Sequence, residues 1–202
     1  MPFRCLLLDP PWPETMIGKW KNPRHSRPDR LPYQTMTIDE IRALPVPDLA
    51  ADNCHLWLWC TVRSLPDGFD LVDHWGFRFH NMVTWVKPSG MGPYFINRTQ
   101  PILFAYRGKL DMRQRFKPNV LFANPGKHST KPECSYELIE QVSHEPRVEL
   151  FARRPRDGWT CLGDGIDGMD ITQAMRQLSP NPDDDEPTAH GERLTTSPIP
   201  AD

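Results

Sequence analysis

Apolar positions along the chain come in short runs bounded by proline and glycine rather than in long stripes. Phe3–Leu8 is apolar at nearly every position and stops at Asp9-Pro10-Pro11, the pattern of a buried strand whose C-terminal end opens into a loop. Cys54–Cys60 (CHLWLWC) is apolar on both faces, as expected of a central strand in a parallel sheet. Further strands are expected at Phe79–Val86, Gln100–Tyr106, Asn119–Phe122 and Val148–Phe151, with an edge at Trp159–Leu162. Helical patterns fall between them. Thr37-Ile38-Asp39-Glu40 has the form of a capping box opening a short helix through Leu44, and a second helical segment lies around Phe69–Trp75. Thr130 to Glu133 forms another capping box, with Pro132 in the first turn, opening a helix through about Val142. Residues 13–32 and Lys87–Thr99 have no period and several breakers, and read as loops. Alternating strands and helices predict an α/β fold with a mostly parallel sheet and helices on both faces.

Composition adds bounds. A chain of 202 residues with 38% hydrophobic and 25% charged positions fits one globular domain. That domain is expected over residues 1–169, with residues 170–202 an acidic, proline-rich, solvated tail. The net charge is −2. Residues 179–202 carry six acidic residues and one arginine, so the remainder is +3 by subtraction, a balance that neither requires nor excludes a polyanionic partner. Five cysteines without a CxxC pair argue against a disulfide framework or a zinc ribbon. No apolar run reaches membrane-spanning length, and the opening MPFRCLLLD meets an aspartate too soon for a signal-peptide core. An intracellular protein is expected.

The tetrapeptide Asp9-Pro10-Pro11-Trp12 stands at a strand end, where open α/β sheets bind ligands. The plainer reading is that the prolines stop the strand and Trp12 fills the core. The chemical reading explains the combination. A conjugated ring amine is a poor nucleophile because its lone pair is delocalised. A carboxylate and a backbone carbonyl, each accepting one amine hydrogen, draw the nitrogen toward a tetrahedral shape and aim its lone pair at an electrophilic methyl. Asp9 supplies the carboxylate, and the two proline φ angles hold the Pro10 carbonyl. Trp12 offers a flat surface for a base taken out of its stack.

Here the chain resembles the DPPW-type adenine-N6 methyltransferases of the MT-A family, the family of the messenger-RNA adenosine methyltransferase catalytic subunit and of bacterial and phage DNA adenine methylases. The matching segments run in family order over roughly residues 3–168: Leu31-Pro32-Tyr33 with Thr35-Met36, Leu56–Trp59, Trp75-Gly76-Phe77, Trp85-Val86-Lys87, Asn97-Arg98-Thr99, His128–Glu133, Glu149–Arg153 and Leu162-Gly163. The resemblance implies a Rossmann-like fold that binds S-adenosyl-L-methionine, circularly permuted so that the catalytic strand comes first. It also implies methylation of adenine at N6, a bacterial or phage setting, and either a homodimer or a partner subunit. Asp9, Pro10, Pro11 and Trp12 take the catalytic roles, with Asp9 and Pro10 also beside the cofactor. Glu149–Arg153 becomes a cofactor strand and turn, placing Phe151, Arg153 and Arg154 toward the cofactor, although a pair of arginines after a strand is otherwise simply solvated. His128, Ser129 and Lys131 lie at an expected helix N-terminus, which favours an anion. Lys131 is therefore a candidate for the methionyl carboxylate, its alternative being an ordinary first-turn lysine. Asp164-Gly165 stands where relatives have asparagine and a longer polar residue; the Asp164 carboxylate can still accept from ribose hydroxyls.

On the acceptor side, the resemblance places Tyr33 against the target adenine, and Gln100 stands where relatives have glutamate. Lys19, Lys21 and Arg24 in the first loop, with Arg98 later, are candidate nucleic-acid contacts, and the basic stretch 107–118 fits phosphate too. DNA is favoured over RNA, since small stand-alone members of the family tend to act on it. The alternatives are the same reaction on RNA, or a non-catalytic nucleic-acid-binding subunit; intact Asp9 and Trp12 favour activity. No GxGxxG follows a strand, so a Rossmann oxidoreductase lacks support. Methyl transfer from a sulfonium needs no metal, and none is expected.

Overall fold

The computed structural model describes residues 2–13, 35–92, 94–126 and 130–178. The chain order is β1 (Phe3–Leu8), α1 (Ile38–Arg42), α2 (Val46–Leu49), β2 (Ala50–Trp59), α3 (Leu65–His74), β3 (Arg78–Met91), β4 (Asn97–Arg107), β5 (Val120–Phe122), α4 (Glu133–Val142), β6 (Arg147–Leu150), β7 (Thr160–Leu162), α5 (Asp164–Asp167) and α6 (Ile171–Leu178). The strands form a seven-stranded sheet in the order β5-β3-β4-β2-β1-β6-β7. Only β4 runs against its neighbours.

The first strand lies between β2 and β6, parallel to both. Its period of two explains why it is apolar at successive positions. Leu6 and Leu8 enter a cluster with Ile41, Leu49, Leu71 and Met175, so α1, α2, α3 and α6 cover that face. Cys5 and Leu7 enter a second cluster with Tyr136, Leu138, Ile139 and Val142 of α4 on the other. The same alternation sends Leu56 and Leu58 of β2 to the first face and Trp57 and Trp59 to the second.

Three expectations need correction. The stretch Lys87–Thr99 is largely strand: β3 runs on to Met91, β4 starts at Asn97, and Met91 pairs with Asn97. Pro88 is tolerated because β5 pairs only with Thr84–Val86, leaving that edge of β3 without a ladder to break. The second capping box does not form. Pro132 is the N-cap of α4 with no side-chain cap bond, and Glu133 instead pairs with Arg156 and, at 3.5 Å, with Arg154. Nor does a solvated tail begin at residue 170. Asp170 Oδ1 accepts from the backbone N–H groups of Thr172 and Gln173, opening α6, which buries Ile171, Ala174 and Met175. Residues 179–202 lie outside the described residues. The box at Thr37 does form, with the Thr37 hydroxyl and the Glu40 carboxylate each accepting from the other residue's backbone N–H.

Beneath the sheet, at the end away from Asp9, His55 is 3% exposed. The Trp57 indole N–H donates to Ser143 Oγ at 2.9 Å, and the same oxygen lies 2.9 Å from His55 Nδ1. The Ser143 hydroxyl proton is then available to Nδ1, which requires a neutral imidazole. Burial, aided by His144, pulls the His55 pKa down to about 4. The unfolded chain takes up that proton near pH 6.5. The contribution is therefore complete above pH 6.5 and lost as pH falls toward 4, by on the order of 3 kcal/mol. Urea unfolding between pH 7 and 4 is expected to show this slope in the wild type and a shallower one in His55→Asn; equal slopes would assign the acid sensitivity elsewhere.

Candidate active site

Pro10 and Pro11 lack N–H groups and end β1 at Leu8. The chain then folds tightly, with Trp12 N donating to the Pro10 carbonyl at 2.8 Å. A carbonyl has two lone pairs, so one remains for another donor. Met36 N donates to the Pro11 carbonyl at 2.9 Å, tying the returning chain to the turn. Trp12 is 9% exposed, and its indole N–H donates to the Trp59 carbonyl at the end of β2. It is thus anchored in the core more than the sequence implies, while still lining the cleft.

That cleft, about 1570 Å³, opens across the C-terminal ends of β1 and its parallel neighbours. Asp9, Pro10, Pro11 and Trp12 form its floor, and Lys131, Phe151, Arg153, Asp164 and Gln100 line it too. Lys131 precedes α4 rather than sitting in its first turn, and its Nζ donates to Asp9 Oδ2 at 2.5 Å. The lysine side chain is 10% exposed and the aspartate 24%. Lys131 also lies over the Trp59 ring, 5.1 Å from its centroid. A second lysine completes the group. Lys87 Nζ stands 4.3 Å from the Trp85 ring centroid and donates to Gln100 Oε1 at 3.2 Å. Burial, then the charge of Lys131, lowers its pKa, against the pull of Asp9.

The opposite wall is built by β6 and β7. Ala152 N donates to the Leu162 carbonyl, and the backbones pass so closely that a Cβ on Gly163 would lie 2.3 Å from the Ala152 oxygen. Phe151 turns the chain there at φ 66°, a left-handed conformation that a bulky residue adopts at a cost of about 1–3 kcal/mol and that recurs at ligand sites. Under this wall Glu149 accepts from the Tyr136 hydroxyl at 2.7 Å, and burial raises both groups' pKa values. Arg156 covers the Tyr136 ring at 3.6 Å.

Other sequence candidates fall elsewhere. Arg154 turns to Glu133 and does not line the cleft. Arg98 is exposed, and its Nε donates across the hairpin to the Lys87 carbonyl. The basic stretch 107–118 leaves β4 at the sheet end opposite Asp9, since β4 is the antiparallel strand. Arg107 there donates to the carbonyls of Pro47, Ala50 and Ala51, and Arg113 to that of Glu140, so both serve the fold. Lys19, Lys21, Arg24, Tyr33, His128 and Ser129 lie outside the described residues. Lys87, Trp85, Tyr94, Phe95 and Arg176 also line the cleft; none is among the expected site residues, although Trp85 and Lys87 stand in one of the matching segments. Among the described residues no group of three or more His, Cys, Asp or Glu side chains could hold a metal ion, and no helix is long and apolar enough to cross a membrane.

The close approach at Gly163 is directly testable. Gly163→Ala is expected to destabilise the fold by about 2–3 kcal/mol, because backbone must move. Gly158→Ala meets nothing within 4 Å and has only its positive φ to contend with, at about 1–2 kcal/mol. Equal denaturation midpoints for the two variants would contradict the packing described.

The sequence profile of the MT-A70 family matches residues 3–165. A putative N(6)-adenosine-methyltransferase MT-A70-like protein of Medicago truncatula is 29% identical over 179 residues, covering 83% of this chain and 27% of the relative. The human N(6)-adenosine-methyltransferase catalytic subunit METTL3 is 28% identical over 197 residues, covering 89% of this chain and 32% of its own length. The type II methyltransferase M.MunI of Mycoplasma sp is 30% identical over 139 residues, 65% of this chain and 58% of that enzyme. The chain spans about a quarter of the length of the plant relatives it matches. With a match running from β1 through the β6–β7 wall, the chain belongs to the MT-A70 family.

Proposed function

We propose that this chain is an S-adenosylmethionine-dependent methyltransferase acting on the N6 amine of adenine in DNA. The observation that carries the reading is the Asp9 carboxylate and Pro10 carbonyl at the mouth of β1, inside a cleft large enough for a nucleoside cofactor and a nucleotide together. The family membership supports adenine as the acceptor. For DNA the support is the likeness to the type II methyltransferase M.MunI, matched over 58% of its own length. METTL3, an N(6)-adenosine-methyltransferase by name and so named for a ribonucleoside, gives the second reading, RNA, its support. We also read the chain order, with the Asp9 strand first and the β6–β7 wall near the end, as that of a circularly permuted Rossmann-like methyltransferase.

The residues present fit the cofactor. Lys131 offers a nearly buried cation for a carboxylate, Phe151, Arg153 and Gly163 line the facing wall, and Asp164 can accept from ribose hydroxyls. S-adenosylmethionine, when bound, would supply an electrophilic methyl on a sulfonium, whose carbon–sulfur bond breaks as the methyl is taken, with the electron pair leaving on the neutral thioether. Asp9 and the free lone pair of the Pro10 carbonyl each accept one amine hydrogen, pulling the N6 lone pair out of conjugation. Trp12, fixed by Trp59, limits the tilt of the base. After the N–C bond forms, N6 sheds a proton, and Asp9 is placed to accept it. Lys131 engages only Asp9 Oδ2 and leaves Oδ1 for the amine; a cofactor carboxylate is a competing anion for the same ammonium. Paired assembly, as a homodimer or with a partner subunit, is part of the proposal on family grounds.

The test uses methyl-labelled cofactor with single- and double-stranded DNA and RNA, followed by digestion and identification of the nucleoside. Labelled N6-methyldeoxyadenosine is expected. It should fall by at least about 10²–10³-fold in Asp9→Ala, with cofactor binding retained. Label in RNA alone would establish the second reading. Label in cytosine, or none in any nucleic acid while the cofactor binds, would sink the proposal.

A further inference from the structure

The hairpin between β3 and β4 carries side chains that the fold does not need. Met91 is 67% exposed, Tyr94 81%, Phe95 81% and Ile96 63%, all within six residues, in a chain that buries most of its other large apolar groups. Such a cluster on a surface marks a contact with something else. Its position is set by topology. Because β4 is antiparallel to both β2 and β3, β3 runs parallel to β1, and its C-terminal end rises on the same side of the sheet as Asp9. Leu8 is level with Leu58, Leu103 and Met82 across the sheet. The hairpin continues beyond that level to Met91, on the order of 25 Å at strand rise. Tyr94 and Phe95 reach the rim of the cleft that holds Asp9.

The tip is also built closely. A Cβ on Gly90 would lie 2.1 Å from the Asn97 oxygen, and one on Gly92 2.0 Å from the Phe95 oxygen. Two glycines therefore permit a turn in which the rings stand outward while the backbone closes behind them. Cations sit at the base. Arg98 is pinned across the hairpin through its Nε, and Lys87 stands on Trp85 below it.

We propose that Tyr94 and Phe95 stack on the nucleotides flanking the target adenine, holding the strand across the cleft mouth and replacing stacking lost when the adenine enters. The proposal rests on the methyltransferase reading and specifies how its polyanionic substrate is held. Aromatic faces backed by cations suit nucleic acid. Bases stack on them without regard to sequence, and phosphates lie within reach of the cations. Apolar side chains such as Met91 and Ile96 serve as wedges against a base step. A partner chain seated on the same side chains would instead show as a change in solution mass.

The experiment compares wild type, Tyr94→Ala/Phe95→Ala and the aromatic-retaining Tyr94→Phe/Phe95→Tyr, all as full chains. Binding is read by fluorescence anisotropy of a labelled, adenine-containing oligonucleotide of random sequence, single- and double-stranded, with S-adenosylhomocysteine present. The cofactor product's own Kd and the solution mass by light scattering are measured in parallel. Expected are a rise in oligonucleotide Kd of at least about tenfold for the double alanine, a change within about twofold for the aromatic pair, and an unaltered Kd for S-adenosylhomocysteine. Equal oligonucleotide Kd values for wild type and double alanine would overturn the proposal. So would equal losses in both variants, or a changed solution mass with nucleic-acid binding intact, which would mark the tip as a contact between chains. If wild type transfers methyl to adenine yet the tip variants bind normally, the tip proposal alone fails. If the tip variants lose binding while wild type transfers no methyl, the enzymatic reading alone fails. Wild type that binds neither form overturns both.

Discussion

The ion pair between Lys131 and Asp9 is the constraint around which the site is arranged. It joins the end of β1 to the segment entering α4, residues 122 apart in sequence, across the cleft floor. Both side chains are largely withdrawn from water, and a charge in that position is costly unless it is paired. Trp59 walls in the lysine and Lys87 adds a second cation. Beside the aspartate, the Pro10 carbonyl accepts from Trp12 N alone and keeps one lone pair in reserve. A site with this charge distribution suits an acceptor that brings hydrogen-bond donors and a ligand that brings its own carboxylate.

The sheet was legible because its central strands are apolar at consecutive positions. Phe3–Leu8 and Cys54–Cys60 could hardly be anything but strands covered on both faces, and that also predicted helices on both sides. What failed were inferences drawn from single breakers. Pro88 and Gly90 read as a loop because a sequence does not show that β5 is only three residues long, and it is that short neighbour that leaves β3 free to carry a proline. The pair Thr130 and Glu133 has capping-box spacing, but the Glu133 carboxylate is taken by Arg156 from a distant turn, a tertiary competition with no local sign. The missed α6 is different. Asp170 followed by Ile171, Ala174, Met175 and Leu178 has both an N-cap and a helical period, and the acidic, proline-rich stretch beyond it obscured the signal.

The position of Asp9 through Trp12 at a strand end was legible because two prolines after an apolar strand combine a stop with a fixed carbonyl. The role of Trp12 was harder to read, since only the fold reveals the Trp59 carbonyl that captures its indole. Arg154 and the basic residues at 107–118 show the opposite error. Charge is visible in a sequence, but the direction of β4, which takes that basic stretch away from the cleft, is not. The place of Lys87 in the site is hidden for a related reason: it stands in a strand read as loop, and its neighbours Gln100 and Lys131 come from other elements.

The most direct test of the account is a crystal structure of the full chain with S-adenosylhomocysteine bound, read at one distance. Lys131 Nζ is expected to have left Asp9 Oδ2 for the ligand's carboxylate. A ligand carboxylate held elsewhere, with the Lys131–Asp9 pair unchanged at 2.5 Å, would contradict it.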